Sequence, residues 1–334
     1  MNLTSRQTRN WFFPLLGILT TLLIFFLIVT QINFSTLTTA LMQARYIYAL
    51  PAVVLLLIGL VARGLRWHVL LGNGFPLIRA FSIMNIAYMM NGVLPFRMGE
   101  AARAYLTTRG ERPMPIFHTV STIVVERLLD ILAVLIVIGL ALATGPLPLE
   151  VQRAGIFAML LVVFGFLVLV TLSKQRALAQ KIVSVSFNFL SRLGFHNRSI
   201  EERFTGWLNH FLDGLKPLTT PSLLFQALSY TAISWILSVC AGYVLMLSFF
   251  PQASWPATFL YMAASSLAVA VPTPGNLGPF ELSILLALNA SGYGHSQDTV
   301  IAFALFVHGV NLAINVTTGL IGLITEGISL KQLY

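Results

Sequence analysis

Charge is what this sequence has least of. Only 9% of its 334 residues are charged, against roughly 25% in a soluble domain. That excludes an ordinary soluble fold. With 57% hydrophobic residues and a mean hydropathy of +0.84, it also excludes a disordered chain. The apolar residues come in long runs, not in short alternating segments, so a transmembrane barrel is excluded. There is one cysteine, Cys240, inside an apolar stretch, and no intrachain disulfide can form. Six histidines are scattered without paired metal spacing. No structural metal and no cofactor is expected. A GxxxxGKS/T loop is missing, which leaves no ATP site. Residues 222–330 contain no Lys or Arg.

What is there reads as an all-α polytopic membrane protein, with about six full spans plus two re-entrant or broken helix segments. The formal charge of +9 then reflects topology and contact with anionic headgroups, not nucleic acid. Sixteen of the twenty cations are arginine, the better bidentate partner for phosphate. Residues 11–31 form the first span, after Arg6 and Arg9. It has spanning length and no small-residue cleavage site, so it is expected to stay as an anchor with a cytoplasmic N-terminus. A second span, from 46 to 62, returns to Arg63, Arg66 and His68 at the inner face. Further spans cover 116–143, 154–172, 222–250 and 299–325. The last one ends inside, which makes the C-terminus cytoplasmic too. The expected location is the cytoplasmic membrane.

One integral membrane domain, 1–334, therefore divides into a first half (1–172), a cytoplasmic segment (173–221) and a second half (222–334). The middle segment holds seven Lys/Arg and three acids. Leu178, Ile182, Val185 and Phe189 follow helical spacing there. So do Phe204, Trp207, Leu208, Phe211 and Leu215. Ser199 with Glu202 is a capping box. Two amphipathic helices on the inner membrane face fit this pattern, as does a helical hairpin packed on itself.

Two apolar stretches are interrupted by Pro and Gly and then supply an acid. Residues 80–96 are too short to span and have basic residues at both ends, Arg79 before and Arg97, Arg103, Arg109 and Arg112 after. That suits a re-entrant segment, broken at Asn91, Gly92 and Pro95. Residues 256–271 and 279–291 are likewise short, and PTPGNLG separates them. In LPFRMGE (94–100), Pro95 lies four residues before Gly99, with Glu100 next. In PTPGNLGPFE (272–281), Pro274 lies four residues before Gly278, with Glu281 three further on. If the first enters from inside and the second from outside, they form an inverted repeat whose broken helices meet near the midplane. Two unrelated turns would give the same pattern.

Charges also sit inside the apolar runs. Glu126, ten residues past Ile116, lies roughly 15 Å along a helix. That is about half of a ~30 Å hydrocarbon core. Glu126, Arg127 and Asp130 share that depth, and each costs roughly 2.5–3.5 kcal/mol there. Arg127 and Asp130 can pair at i, i+3. Two acids on one helix face need further cations, for which Arg63, Arg66, Arg97 and Arg103 are the candidates. Arg63 and Arg66, next to Trp67, also fit snorkelling to lipid phosphate. Gly99 would let backbone N–H groups of a helix start approach an anion. His308, Asn311 and Asn315 make a polar stripe suited to interhelical hydrogen bonds.

Four segments together, in order and over nearly the whole chain, resemble the flippase-like domain family, also called the lysylphosphatidylglycerol synthase transmembrane-region family. They are RGLRW (63–67), NGVLPFRMGEAAR (91–103), VVERLLD (124–130) and PTPGNLGPFE (272–281). By resemblance, Asn91, Arg97, Glu100, Arg103, Glu126, Arg127, Asp130 and Glu281 match the family's motif positions. In the multiple peptide resistance factor proteins this region precedes a soluble aminoacyl-transferase domain, and it is held to move aminoacylated phosphatidylglycerol between leaflets. The resemblance implies lipid movement. No soluble domain follows in this sequence, so synthase activity is not implied.

The expected function is a flippase for an anionic or phosphate-linked lipid (aminoacylated, glycosylated or polyprenyl), with the bilayer and that lipid as partners. It is not expected to be an enzyme. Arg63, Arg66, Asn91, Arg97, Glu100, Arg103, Glu126, Arg127, Asp130, Gly275, Asn276, Gly278 and Glu281 form the candidate substrate site. A membrane-embedded glycosyl or lipid transferase is the alternative, disfavoured because the first outer loop, 32–45, has no acid. An intramembrane serine protease using His308 lacks a nucleophile turn. A non-catalytic partner of a lipid-modifying enzyme is also consistent. Gly319 and Gly322 allow helix contacts within a chain or in a homo-oligomer.

Overall fold

The computed structural model describes residues 34–72, 74–94, 97–110, 112–144, 149–192, 198–269, 271 and 273–328. The expected first span at 11–31, Pro95, Pro272 and both chain ends lie outside them. So do the side chains of Leu178, Ile182, Phe189 and Ser199, and with Ser199 the capping box. In chain order the helices are α1 (Phe34–Gln43), α2 (Ala49–Leu71), α3 (Leu77–Val93), α4 (Met98–Leu106), α5 (Ile116–Thr144), α6 (Leu149–Lys174), α7 (Arg176–Arg192), α8 (Arg198–Gly214), α9 (Pro221–Met246), α10 (Trp255–Ala268), α11 (Pro279–Leu288) and α12 (Gln297–Glu326). Among the described residues there is no strand. The chain is an all-α membrane protein, as its composition requires.

Three of these helices are long and apolar enough to cross a membrane: α2 with the turn before it (Tyr46–Leu71), α9 and α12. With 29 and 26 residues, α5 and α6 match them in length. The three charges of α5 break its apolar run. The helix of the expected second span does not stop at residue 62. It continues to Leu71 and ends at Gly72, whose φ is 92°. Arg63 and Arg66 therefore lie within the helix and not at its interfacial end.

Helix ends gather at two faces. At one, Arg79 near the start of α3 donates to Glu326 at the end of α12 (3.0 Å) and to the Leu106 carbonyl at the end of α4 (3.5 Å). His118, on the first turn of α5, lies 3.2 Å from the Leu71 carbonyl at the end of α2. At the other face the Arg45 N–H donates to the Ser248 carbonyl (2.8 Å). There the Tyr293 hydroxyl donates to the Gln252 carbonyl (2.6 Å).

Both ends of the α3–α4 hairpin therefore lie at the first face. Both ends of α10–α11 lie at the second, where Trp255 stacks on Tyr243 (4.2 Å between centroids). The two hairpins enter from opposite faces and meet. A Cβ on Gly275, in the turn between α10 and α11, would lie 2.9 Å from the Gly92 carbonyl near the end of α3. Such breaks leave backbone groups without helical partners, so they need protein around them. Accordingly α3 is buried along most of its length, from Ala80 through Met84 to Met90.

Local chemistry makes the first break. Leu94, the residue before Pro95, is extended (φ −96°, ψ 148°), as the proline ring requires. Arg97 is left-handed (φ 50°, ψ 42°), and α4 starts one residue later. The Asn91 side-chain oxygen accepts the Gly99 N–H (2.9 Å), tying the two arms together. A Cβ at residue 99 would lie 2.1 Å from the Ala87 carbonyl. Only glycine lets α4 approach so closely.

Two helices occupy the 173–221 segment, as expected. They are joined by Arg176–Asp213 (2.7 Å) and by Gln180–Asn209 (3.0 Å). The pair is not packed only on itself. Leu212 and Leu215 are fully buried, Trp207 stacks on Phe117 (5.0 Å), and Gly214 sits against Ser121 of α5. Phe204 and Trp207 stay exposed.

Packing of α12 along α3 relies on small residues. A Cβ on Gly319 would lie 2.3 Å from the Met89 Cβ and 2.9 Å from the Asn85 carbonyl. Gly319→Val should cost about 1–3 kcal/mol by overpacking. Gly309→Ala, with nothing within 4 Å of the added carbon, should not destabilise the helix. Thermal unfolding in detergent would show the contrast.

Candidate functional site

Three helices deliver the charges. On α5 the helical period puts Glu126 and Asp130 on one face with Arg127 beside them. Arg63, Arg66 and Trp67 come from α2. The short α4 carries Glu100 and Arg103 back into the protein. The hairpin is what allows this, because α4 follows a turn at depth and not a surface loop.

Glu126 is the centre. Arg103 grips it with two bonds, Nη2 to Oε2 at 2.7 Å and Nη1 to Oε1 at 3.2 Å. Arg66 reaches Glu126 Oε1 at 3.4 Å and holds Asp130 through Nη1–Oδ1 (2.7 Å) and Nη2–Oδ2 (3.3 Å). All three side chains, Arg66, Arg103 and Glu126, are 0% exposed. Arg127 spans the set, with Glu126 at 3.1 Å, Glu100 at 3.3 Å and Asp130 at 3.6 Å. Its side chain is 34% exposed. The bidentate forks match planar guanidinium to planar carboxylate, the strongest form of such a pair. Arg103 also lies over the Trp67 ring (4.0 Å to the centroid), and the Trp67 Nε1–H donates to Thr122 (3.3 Å).

The acids are outnumbered. Arg63 donates to the Ser238 hydroxyl (3.0 Å), and Arg97 is half-buried beside Arg127 and Glu100. Neither has a carboxylate within 4.0 Å among the described residues. Counting Arg63, Arg66, Arg97, Arg103 and Arg127 against Glu100, Glu126 and Asp130, two positive charges are left over. The Nε–H groups of Arg66, Arg103 and Arg127 are buried and unpartnered among the described residues.

Sequence reasoning paired Arg127 with Asp130. In the structure Arg66 takes Asp130 at close range, and Arg127 stands further off. The expectation that Arg66 snorkels to lipid phosphate fails, because Asp130 and the Thr231 hydroxyl (3.3 Å) hold it inside. The Gly99 N–H is not offered to an anion, because Asn91 accepts it. Helix α9 was not foreseen as a contributor. It supplies Thr231, the Trp235 Nε1–H to Asp130 (3.3 Å) and Ser238. The signal was present, since Thr231, Ser234 and Ser238 recur at spacings of three and four in an apolar run.

Glu281 stands apart from the arginines. His308 Nδ1 lies 2.5 Å from its Oε1, and the Gly278 N–H donates to its Oε2 (2.7 Å). Gly275, Asn276 and Gly278 form the turn above it, all with positive φ. These residues place the second hairpin against the first and do not join the arginine cluster. Of the expected polar stripe on α12, His308 does bridge to another helix. Asn311 donates to its own Val307 carbonyl (2.8 Å).

A family model described as Lysylphosphatidylglycerol synthase TM region matches residues 15–319. No curated protein and no solved structure matches the chain.

The cluster stabilises only while it is complete. Glu126→Gln leaves Arg66 and Arg103 buried with one acid fewer and should cost about 3–5 kcal/mol. Joint replacement of Arg103 and Glu126 by Met and Leu should recover most of that, because it removes the buried charges together. Thermal unfolding of the two variants would separate these cases.

Proposed function

The chain belongs to the lysylphosphatidylglycerol synthase TM region family, and from that membership and the cluster's charge we propose that it moves an anionic, phosphate-linked lipid between the leaflets of the cytoplasmic membrane. Membership makes it a membrane protein of lipid metabolism or transport. The movement itself is our reading.

One observation carries it. At mid-membrane depth the cluster has two more guanidinium groups than carboxylates, and among the described residues neither Arg63 nor Arg97 has a carboxylate within 4.0 Å. Unpaired charge in the apolar interior is costly and marks a functional site by default. A phosphate would neutralise the excess. Arg127, bound to three acids yet one-third exposed, is placed to exchange a carboxylate for it. Arg97 sits in a left-handed conformation that few non-glycine residues adopt. Such strain persists where the surroundings impose it, often at ligand clamps.

The fold supports a path. Two hairpins from opposite faces bring their broken ends together, so helix breaks lie in the middle of the protein among the continuous helices. A headgroup can pass there while its tails stay in lipid. Transport is a better reading than transfer chemistry because guanidinium forks already hold Glu126 and Asp130, which leaves neither free as a base.

The test is leaflet exchange in proteoliposomes with labelled phosphatidylglycerol, its aminoacylated form and a polyprenyl phosphate. The wild type should move at least one of them. Arg97→Gln and Arg127→Ala should slow that movement by about ten-fold or more, the effect of losing 1.4 kcal/mol of binding. Movement of none, or equal rates in all three proteins, would overturn the proposal.

A further inference from the structure

Building on the transport reading, we propose that Glu281 and His308 form a proton-binding site whose occupancy controls the contact between the two hairpins. Lipid movement is then coupled to protons.

Glu281 is buried and the His308 side chain is only 13% exposed. Glu281 is on the first turn of α11, and His308 lies eleven residues into α12. At 1.5 Å per residue that is roughly 16 Å from the helix start, well inside a membrane. No Lys or Arg lies within 4.0 Å of Glu281 among the described residues. Around it α10 offers only Tyr261, and the segment after α11 offers Tyr293 and His295. Along its length α12 adds Asp298 and Glu326, near its two ends. Helix α3 adds Arg79 and Tyr88, and α2 adds Arg63, Arg66 and His68. Arg79 is bound to Glu326, and Arg66 to Asp130. Among the described residues, His308 is the one ionisable side chain in contact with Glu281.

Both oxygens of Glu281 face an N–H or a ring nitrogen. Oε2 accepts from the Gly278 N–H (2.7 Å), and Oε1 is 2.5 Å from His308 Nδ1. One proton shared by the pair is compatible with both contacts. It gives either imidazolium and carboxylate, or imidazole and carboxylic acid. A second proton gives a carboxylic acid facing an imidazolium. Two N–H donors then compete for one good acceptor oxygen, and the acid's own O–H points at one of them. One contact has to open.

If the Gly278 contact opens, the turn at Pro274–Asn276 is no longer pinned. That turn rests on the first hairpin, with Gly275 against the Gly92 carbonyl. The α3–α4 hairpin carries Glu100 and Arg103 of the charged cluster, so proton binding at one hairpin reaches the lipid site through the other. Nothing in the arginine cluster can serve this purpose as readily, since its acids are held by several guanidinium groups.

Thr273 reports on the turn. It is 3% exposed, whereas Leu277 is 47% exposed. Single cysteines would be placed at each, Thr273→Cys and Leu277→Cys, in a Cys240→Ala background, and labelled with a maleimide in detergent. The ratio of the two rates cancels the pH dependence of the thiol. It should rise about five-fold or more, the scale of a typical coupling energy, as pH falls from about 8 to about 4, far enough to reach carboxyl protonation. In His308→Gln the pair can take up only one proton, and an amide can face either form of the carboxyl group while the Gly278 contact holds, so the ratio should be low and flat. A flat ratio in the wild type, or an unchanged rise in His308→Gln, would overturn the inference. In proteoliposomes an imposed pH gradient should change wild-type lipid exchange and leave His308→Gln exchange unaffected. Exchange in the wild type that ignores the gradient defeats the coupling and leaves the transport reading standing. Absence of exchange under every gradient defeats the transport reading, while the labelling ratio still reports on the pair.

Discussion

The burial of Glu126 between Arg66 and Arg103 constrains the rest of this protein. Each of these groups would cost several kcal/mol alone in hydrocarbon, and none is exposed. They are tolerable only together, with Arg103 bidentate on Glu126 and Arg66 bidentate on Asp130. That requirement reaches into four helices. It fixes the rotation of α5 and α2, draws α4 back into the membrane-embedded part, and places Thr231 of α9 against Arg66 and Trp235 against Asp130. A network of this kind contributes specificity of arrangement, because a change of helix register would part the three carboxylates from Arg66, Arg103 and Arg127.

A second constraint comes from the backbone. Breaking a helix in a bilayer exposes amide groups that water cannot reach. The first break is tied by Asn91 accepting from Gly99, and the second by Glu281 accepting from Gly278. The two solutions are alike: a side chain with an acceptor oxygen takes the N–H that the turn leaves over. Each break is then sheltered by the other, through Gly92 and Gly275. Placing the irregular backbone at the meeting of two hairpins keeps its polar atoms inside the protein and away from lipid.

Much of this could be read from residues alone. Composition excluded soluble and barrel folds. Length and flanking charge marked 80–96 as a broken segment, length and the PTPGNLG break marked 256–291, and both places hold a helix–turn–helix in the structure. The acids at 126 and 130 demanded cations, and two of the four candidates, Arg66 and Arg103, answer that demand. What stayed hidden was partnership. Arg66 was legible as an interfacial arginine because hydropathy falls near residue 62, yet the helix continues because packing against α9 and α5 outweighs the local cost. Glu281 was grouped with the arginines because its motif resembled the first break. Its partner proved to be His308, more than twenty residues away in sequence.

The sequence by itself determined that the chain is helical, lies in a membrane, and holds charges at depth that must compensate one another. These follow from hydropathy and Coulomb cost, which depend on composition and spacing. Only the tertiary structure decided which cation meets which acid, that Arg63 and Arg97 have none within 4.0 Å among the described residues, and that the two broken segments touch. Pairing depends on the relative rotation of helices far apart in the chain, and no local property of the residues encodes that rotation.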